Sequence, residues 1–232
     1  MIILNYQADN LPDYSKCAIV GRRGCGKTFL CRNLVQNQLI NKNISHTYII
    51  CQAYALPQWE NKLNTSNISY HTIIDSDLLN EIELKIDSGE KIIIVLDDFI
   101  IKKFQYEYLF KFEALIFTTY QMIDLIPINY TNVIFFMSEI SNTQVKKIYY
   151  TATKYFINVP KYDDFVEIFC KCTQNYSALV TDNYSFKLHR ANANEINISS
   201  KSNKDYIIES VDNILKRFQK DVRLLVGFEI II

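Results

Sequence analysis

Short apolar runs alternate with amphipathic stretches along most of the chain. Runs rich in β-branched and aromatic residues predict strands over residues 17–20, 46–51, 70–74, 92–96, 114–119 and 132–137. Between these runs, apolar residues at helical spacing predict helices, one beginning at Lys27 and another capped by Asp75 and ended by Gly89. Strands and helices that alternate through right-handed crossovers predict a three-layer α/β/α domain with a mostly parallel central sheet.

The last third of the chain departs from this alternation. Helices are predicted over 143–155 and 163–173, followed by a hairpin that joins 177–182 to 186–190. Residues 191–204 are rich in Asn, Ser and Lys, which predicts an exposed loop, and an amphipathic helix is predicted over 205–226. We therefore expect one domain over 1–190, with its core at roughly 15–185, and a segment over 191–232 that packs on it.

Composition narrows the class of protein. The chain has 232 residues, 49% of them hydrophobic, and a formal net charge of zero. The apolar content is ample for a core, and zero net charge gives no general attraction to nucleic acid or to a membrane. No basic segment and apolar run of a signal peptide is found at Met1–Leu4, and no apolar run is long enough to span a bilayer. The six cysteines lack paired spacing, which favours free thiols in a reducing compartment over disulfides or zinc.

One stretch carries a specific chemical signal. It matches the G-x-x-x-x-G-K-[ST] phosphate-binding loop in full, between a predicted strand and a predicted helix, and consists of Gly21, Arg22, Arg23, Gly24, Cys25, Gly26, Lys27 and Thr28. Three of the five glycines of the chain fall inside it. The glycines allow backbone N–H groups to surround a β-phosphate, and the helix adds the positive end of its dipole. We expect Lys27 to reach the β- and γ-phosphates and the Thr28 hydroxyl to ligate Mg²⁺.

A second signal is the run of aliphatic residues over 92–96, which ends in Asp97 and Asp98. Five consecutive aliphatics predict a strand buried on both faces, as in the middle of a parallel sheet. Ligands of open α/β sheets bind at the carboxyl ends of the strands, where these two carboxylates would lie. This pattern has the form of a Walker B strand, in which Asp97 holds Mg²⁺ and Asp98 orients or deprotonates the attacking water.

The strand predicted over 114–119 leads to a third candidate, Gln121. An amide at the tip of a strand beside the Walker B strand can hydrogen-bond a γ-phosphate and report its presence. A surface polar residue without such a role is the alternative.

The class of nucleotide hydrolase follows from what the chain has and lacks. The extra strand at 46–51, between the phosphate loop and the Walker B strand along the sequence, favours the additional-strand class of P-loop ATPases. The chain lacks the Asn-Lys-x-Asp motif of GTPases, and its six arginines are too few for the lid of a nucleotide kinase. ATP with Mg²⁺ is therefore the expected ligand.

Several of these features together resemble the poxvirus-type genome-packaging ATPases of the FtsK–HerA superfamily. They are the two Walker motifs, Gln121 six residues before Pro127, Asn132 ahead of an apolar strand, and the late apolar stretch 178–182 with its acidic end. The resemblance covers residues 15–185 approximately. It implies that Lys27, Thr28, Asp97, Asp98 and Gln121 are the ATPase residues.

The resemblance also implies partners and a location. It implies a homo-oligomeric ring that pumps double-stranded DNA, a capsid or portal protein as a further partner, and the cytoplasm of an infected host cell at the site of virus assembly, with association to the virion as an extension. The basic face of the predicted last helix, formed by Lys216, Arg217, Lys220 and Arg223, either touches DNA or only solvates the surface.

One residue departs from the family pattern. Tyr130 stands where the family usually has an arginine, shortly after Pro127. An arginine that acts in trans can be worth on the order of 10³-fold in rate. Two alternatives follow: Arg22, Arg23 or Arg190 substitutes for it, or the intrinsic ATPase activity is low. The competing function is a non-motor P-loop ATPase that acts as a nucleotide-dependent regulator or loader.

Overall fold

The computed structural model describes residues 4–6, 8–63, 65, 67–99, 103–139, 141–155, 160–182 and 187–192. Strands in this part of the chain are β1 (Leu4–Asn5), β2 (Lys16–Val20), β3 (His46–Cys51), β4 (Ile68–His71), β5 (Ile92–Asp97), β6 (Leu115–Tyr120), β7 (Val133–Phe136), β8 (Ser177–Asp182) and β9 (Lys187–Asn192). The α-helices are α1 (Lys27–Asn41), α2 (Ser76–Asp87), α3 (Lys103–Leu109), α4 (Asn142–Tyr155) and α5 (Tyr162–Cys172).

The described strands form one mixed, mostly parallel sheet in the order β1-β9-β8-β7-β2-β6-β5-β3-β4. All pairs from β7 through β2, β6, β5 and β3 to β4 are parallel. Only β8 runs antiparallel to its neighbours, β7 and β9, as expected for the predicted hairpin. The predicted fold class, a three-layer α/β/α P-loop NTPase with a mostly parallel sheet, is confirmed.

The sheet corrects one detail of that prediction. The strand that lies between the phosphate-loop strand and the Walker B strand in space is β6, because β6 pairs with β2 on one side and with β5 on the other. The strand at 46–51, which we took as the additional one, is β3 and lies on the far side of β5. Consequently the end of β6, which leads to Gln121, lies between the phosphate loop and the two aspartates.

Both faces of the sheet are covered by apolar packing. On one face, Ile93 and Val95 of β5 lie in a cluster with Leu30 and Leu34 of α1. On the other face, Leu96 packs in a cluster with residues of α2 and of the segment that follows α3. A third cluster joins β2, β7 and β8 to α4 and α5. The near-continuous aliphatic sequence of β5 thus has partners on both sides, as predicted.

Most predicted boundaries lie within two residues of the observed ones, and a few elements differ. Asp75 caps α2 by accepting a hydrogen bond from the Leu78 backbone N–H (2.9 Å), and Gly89 ends it with a φ of 82°. The strand predicted over 70–74 lies instead at Ile68–His71, where it finds its pairing partners on β3. A short 3₁₀ helix over Ala53–Gln58, which includes Pro57, follows β3.

The C-terminal predictions are only partly testable. Residues 191 and 192, predicted to begin the loop, belong instead to β9. The remainder of that loop and the helix over 205–226 lie outside the described residues, so the division of the chain at 190 stays a prediction.

Lys16 gives the fold a pH-dependent component. It is 6% exposed, and its ammonium donates to the carbonyls of Phe112 (2.6 Å) and Ala114 (2.7 Å). Burial lowers the pKa of Lys16 from 10.5 to about 8. The unfolded chain therefore binds more protons than the folded chain between these values, and stability gains from this residue as pH rises through that window.

We expect Lys16→Met to remove this gain. The free energy of unfolding of the wild type should rise relative to that of the variant by about 3 kcal/mol between pH 7.5 and pH 10.5. Urea unfolding of both proteins across this range measures it. Because tyrosines and cysteines titrate in both proteins, only the difference between them is informative. A constant difference would contradict the assignment.

Candidate functional site

The phosphate loop is fastened to the carboxyl ends of the two strands that flank β2. The Gly21 backbone N–H donates to the carbonyl of Tyr120 at the end of β6 (3.2 Å), and the Arg22 N–H donates to the carbonyl of Ser138 beyond β7 (3.2 Å). The loop therefore begins at the centre of the sheet edge where ligands of α/β proteins bind.

The three loop glycines meet separate requirements. Gly24 and Gly26 have φ values of 78° and 97°, a region that glycine occupies without steric cost. At Gly21 a Cβ atom would lie 2.8 Å from the Cys25 Sγ and 2.9 Å from the Met137 Cβ, so a side chain there would displace packed neighbours. The local geometry thus explains why glycine occupies all three positions.

Lys27 opens helix α1 and lies against the loop. Its side chain is 8% exposed, and its Nζ donates to the carbonyls of Gly21 (3.0 Å) and Arg22 (3.1 Å). The ammonium is thus held within the loop, at the N-terminus of a 15-residue helix. Positive charge and helix dipole coincide here, which makes the loop suited to an anion such as a phosphate chain.

Asp97 joins the loop to the Walker B strand. The Thr28 hydroxyl donates to both of its carboxylate oxygens, at 2.9 and 3.2 Å, across 69 residues of sequence. The Trp59 indole N–H donates to Oδ2 (2.9 Å), and the Thr119 hydroxyl donates to Oδ1 (2.7 Å). Asp97 is 1% exposed. Its buried charge is therefore satisfied by three neutral donors that fix the carboxylate beside Thr28.

Asp98 has an unusual backbone. Its φ is 50°, which is uncommon for a residue with a side chain, and its N–H donates to the Thr119 hydroxyl (2.7 Å). Its carboxylate accepts a hydrogen bond from the Gln121 side-chain N–H (2.8 Å). Thr119 thus contacts both aspartates, and Gln121 holds the second one. The structure brings together all the residues predicted at the strand ends.

Sequence reasoning missed two residues of this network. Thr119 lies at the end of a buried strand, where a pair of threonines between apolar residues is a usable signal. Trp59 carries no comparable signal, because it lies 38 residues from Asp97 in a segment with no motif. Its indole is fully buried, so its hydrogen bond to Asp97 is shielded from water.

We expect Trp59→Phe to keep the packing of the segment but to remove this hydrogen bond. Loss of a donor to a buried carboxylate should lower the free energy of unfolding by about 2 kcal/mol. A double-mutant cycle with Asp97→Ala, which removes both carboxylate oxygens, followed by urea unfolding, isolates the pair from other packing changes, and a coupling of about 1–3 kcal/mol is expected. Additive effects of the two substitutions would show that the contact is energetically silent.

The cysteines near the site remain thiols. All six are free, and Cys31 and Cys51 are buried. Burial, and then the charge of Asp97, raises the pKa of Cys31 well above its usual value and that of Cys51 to about 11. Within the described residues, no cluster of three His, Cys, Asp or Glu side chains could hold a metal by itself. The prediction of free thiols agrees with these cysteines, and the absence of a zinc site stays a prediction.

The Thr28–Asp97 pair nevertheless suits Mg²⁺. A hydroxyl and a carboxylate are the oxygen ligands that this ion prefers, and Mg²⁺ in phosphate-loop proteins takes its other ligands from phosphates and water. The Thr28 oxygen keeps a lone pair for the ion while its hydrogen bonds to Asp97.

Three arginines were candidates for the missing family arginine. Arg22 and Arg23 lie in the loop, and both are exposed. Arg190 is half-buried on β9 and donates to the Ser177 hydroxyl (3.2 Å), so it is already engaged within the chain. Tyr130, at the expected arginine position, is 42% exposed.

No protein-family model matches the chain, and no curated protein matches its sequence significantly. Solved structures do match its fold. The genome-packaging NTPase B204 of Sulfolobus turreted icosahedral virus 2, in complex with ATP-γS, superposes with a TM-score of 0.56 at 14% identity, over 77% of this chain and 98% of that one. B204 of Sulfolobus turreted icosahedral virus, a DNA-packaging ATPase, gives 0.52 at 15% identity, over 78% and 98%.

A second kind of protein has the same fold. ATPases 2 and 3 of EssC from Geobacillus thermodenitrificans superpose with a TM-score of 0.51 at 13% identity, over 93% of this chain and 45% of that one. No helix in the described part of the chain has the length and apolar character needed to cross a membrane. The chain thus shares the P-loop NTPase fold of B204 and of the EssC ATPases.

Proposed function

We propose that the chain hydrolyses ATP to ADP and phosphate and uses this reaction to move double-stranded DNA into a viral capsid. The observation that carries the proposal is the pair of contacts at one sheet edge, Thr28 with Asp97 and Gln121 with Asp98. These contacts support a site in which Thr28 and Asp97 serve phosphate and metal binding and Asp98 serves water activation. The folds of B204 and EssC support the same class of protein.

Binding begins at the loop. Residues 21–28 surround the β-phosphate with backbone N–H groups, and Lys27 exchanges its carbonyl partners for the β- and γ-phosphates. When bound, Mg²⁺ would be held by Thr28 and Asp97 and would neutralise charge on the phosphates. Trp59 and Thr119 keep the Asp97 carboxylate in place for this task.

Hydrolysis depends on Asp98. Its carboxylate accepts a hydrogen bond from the attacking water and orients its lone pair toward the γ-phosphorus, or takes its proton as the new P–O bond forms. The bond from the γ-phosphorus to the bridging oxygen breaks, and ADP leaves with the electron pair. Gln121 already hydrogen-bonds Asp98 and, at the tip of β6, is placed to contact the γ-phosphate as well, so it couples the presence of that phosphate to the position of the carboxylate.

Ring assembly would complete the site. Three residues beside the proposed triphosphate site are exposed: Gln121, Arg22 and Arg23. On this side, therefore, a single domain would leave the bound triphosphate open to solvent. A neighbouring subunit that covers this side can present an arginine to the γ-phosphate. Arg22, Arg23 and Arg190 remain the candidates for that arginine, and Ser177 already engages the last of them.

DNA contact would be local and cumulative. Net charge is zero, so each subunit offers few phosphate contacts, and a ring multiplies them. Lys146 is exposed on α4, whereas Lys147 pairs with Asp124, so Lys146 is the better candidate to line a channel. The proposed further partner is a capsid or portal protein. The proposed location is the virus assembly site in the host cytoplasm.

Steady-state ATP turnover tests the proposal. The rate per subunit should rise steeply with protein concentration, rise further with double-stranded DNA, and lose the DNA effect as salt increases. Lys146→Ala should weaken the DNA effect, while Lys171→Ala, which removes a partly exposed lysine paired with Glu167 on α5, serves as its control. A rate independent of concentration and of DNA would favour the alternative, a regulatory or loader ATPase.

A further inference from the structure

Tyr176 lies beside the phosphate loop, on the side away from the catalytic carboxylates. It directly precedes β8, and β8 runs antiparallel to β7, with Leu179 opposite Phe136. The start of β8 therefore lies at the carboxyl end of β7, on the same sheet edge as the loop. In the strand order β8-β7-β2-β6-β5, the loop after β2 has Tyr176 on one side and Asp98 with Gln121 on the other.

Contacts fix the ring against the loop and the first turn of α1. A Cβ atom built on Gly26 would lie 2.5 Å from Cδ1 of Tyr176, so the ring occupies the space that a side chain at Gly26 would need. The same ring packs edge-on to Phe29, with centroids 5.8 Å apart and planes at 67°. On its other side, Phe29 has the guanidinium of Arg32 5.5 Å from its ring centroid.

Core packing does not explain this placement. Tyr176 and the preceding Asn175 have φ values of 59° and 52°, a left-handed conformation that is unfavourable for a bulky side chain. Even so, Tyr176 remains 53% exposed, so the strained turn does not serve to bury it. Backbone strain that holds an exposed aromatic ring against a phosphate loop is typical of a binding site.

We propose that Tyr176 is the stacking surface for the nucleobase of the bound nucleotide. This inference rests on the proposed function, because it takes the phosphates to be held by residues 21–28. With the γ-phosphate directed to Asp98 and Gln121, the nucleoside leaves the loop in the opposite direction, past Phe29 and toward Tyr176. The open face of the tyrosine ring offers a purine a flat apolar partner, and aromatic stacking tolerates any base.

Calorimetric titration with two ligands separates base binding from phosphate binding. ADP carries a base, whereas inorganic pyrophosphate engages only the loop. Tyr176→Ala should weaken ADP binding about 5- to 30-fold and leave pyrophosphate binding unchanged, while Tyr176→Phe should bind both as the wild type does. Tyr150→Ala removes an equally exposed tyrosine from α4 and serves as the matched control.

Three results would overturn the inference, and they differ in meaning. If Tyr176→Ala binds ADP as well as the wild type does, the ring does not contact the base. If it loses ADP and pyrophosphate binding equally, Tyr176 only supports the loop around Gly26. If the wild type binds neither ligand, the proposed ATPase function fails and the inference fails with it.

Discussion

Replacing Lys27 with alanine is expected to abolish ATP turnover while the domain stays folded. The ammonium lies within the loop on two backbone carbonyls, and no apolar core depends on it. Loss of a preorganised charged donor at a transferring phosphate should reduce kcat on the order of 10²- to 10³-fold. Phosphate release under saturating Mg·ATP, with the far-UV circular dichroism spectrum of the same sample, measures both parts of the expectation.

The control for this variant is Lys171→Ala, which removes a partly exposed lysine that pairs with Glu167. It should turn over ATP at the wild-type rate. If Lys27→Ala also retained full turnover, the phosphate loop would not be the catalytic site.

Asparagine in place of each aspartate should separate their two roles. Asp98→Asn keeps the size and shape of the side chain, but an amide cannot take a proton from the attacking water. The variant should therefore bind ATP and hydrolyse it on the order of 10²- to 10⁴-fold more slowly. Single-turnover hydrolysis and equilibrium ATP binding, measured on the same preparation, distinguish these effects.

Asp97→Asn should behave differently, because both oxygens of Asp97 already accept hydrogen bonds. Oδ1 faces Thr119, and Oδ2 faces Thr28 and Trp59. An asparagine amide turns its NH₂ group either toward the Trp59 N–H, which cannot accept, or toward the Thr119 hydroxyl, which must then accept instead of donate. The variant should therefore lose stability, by about 1–3 kcal/mol, as well as Mg²⁺-dependent binding. Equal phenotypes for the two variants would refute the division of roles between the carboxylates.

The sequence predicted those parts of the site that depend on local sequence patterns. The glycine pattern of residues 21–28 and the aliphatic run before Asp97 both act through local backbone geometry and burial, and the structure places them together. The contact between Thr28 and Asp97 followed from the rule that parallel strands expose their carboxyl ends at one edge.

Local sequence patterns do not predict features that depend on strand order. Nothing in the composition of β3 or β6 says which of them pairs with β2, so the additional strand was assigned to the wrong one. Trp59 and Tyr176 were missed for the same reason. Each reaches the site through tertiary packing, across 38 residues to Asp97 for Trp59 and across the sheet edge to Gly26 for Tyr176.

Displacement of a third DNA strand from a triplex would show whether the chain moves along duplex DNA. A fluorescent oligonucleotide bound in the major groove reports any motor that passes beneath it. With ATP and Mg²⁺, the wild type should release this strand at a rate that follows its DNA-stimulated hydrolysis, while Asp98→Asn should release none. Hydrolysis by the wild type without release of the third strand would contradict the motor function.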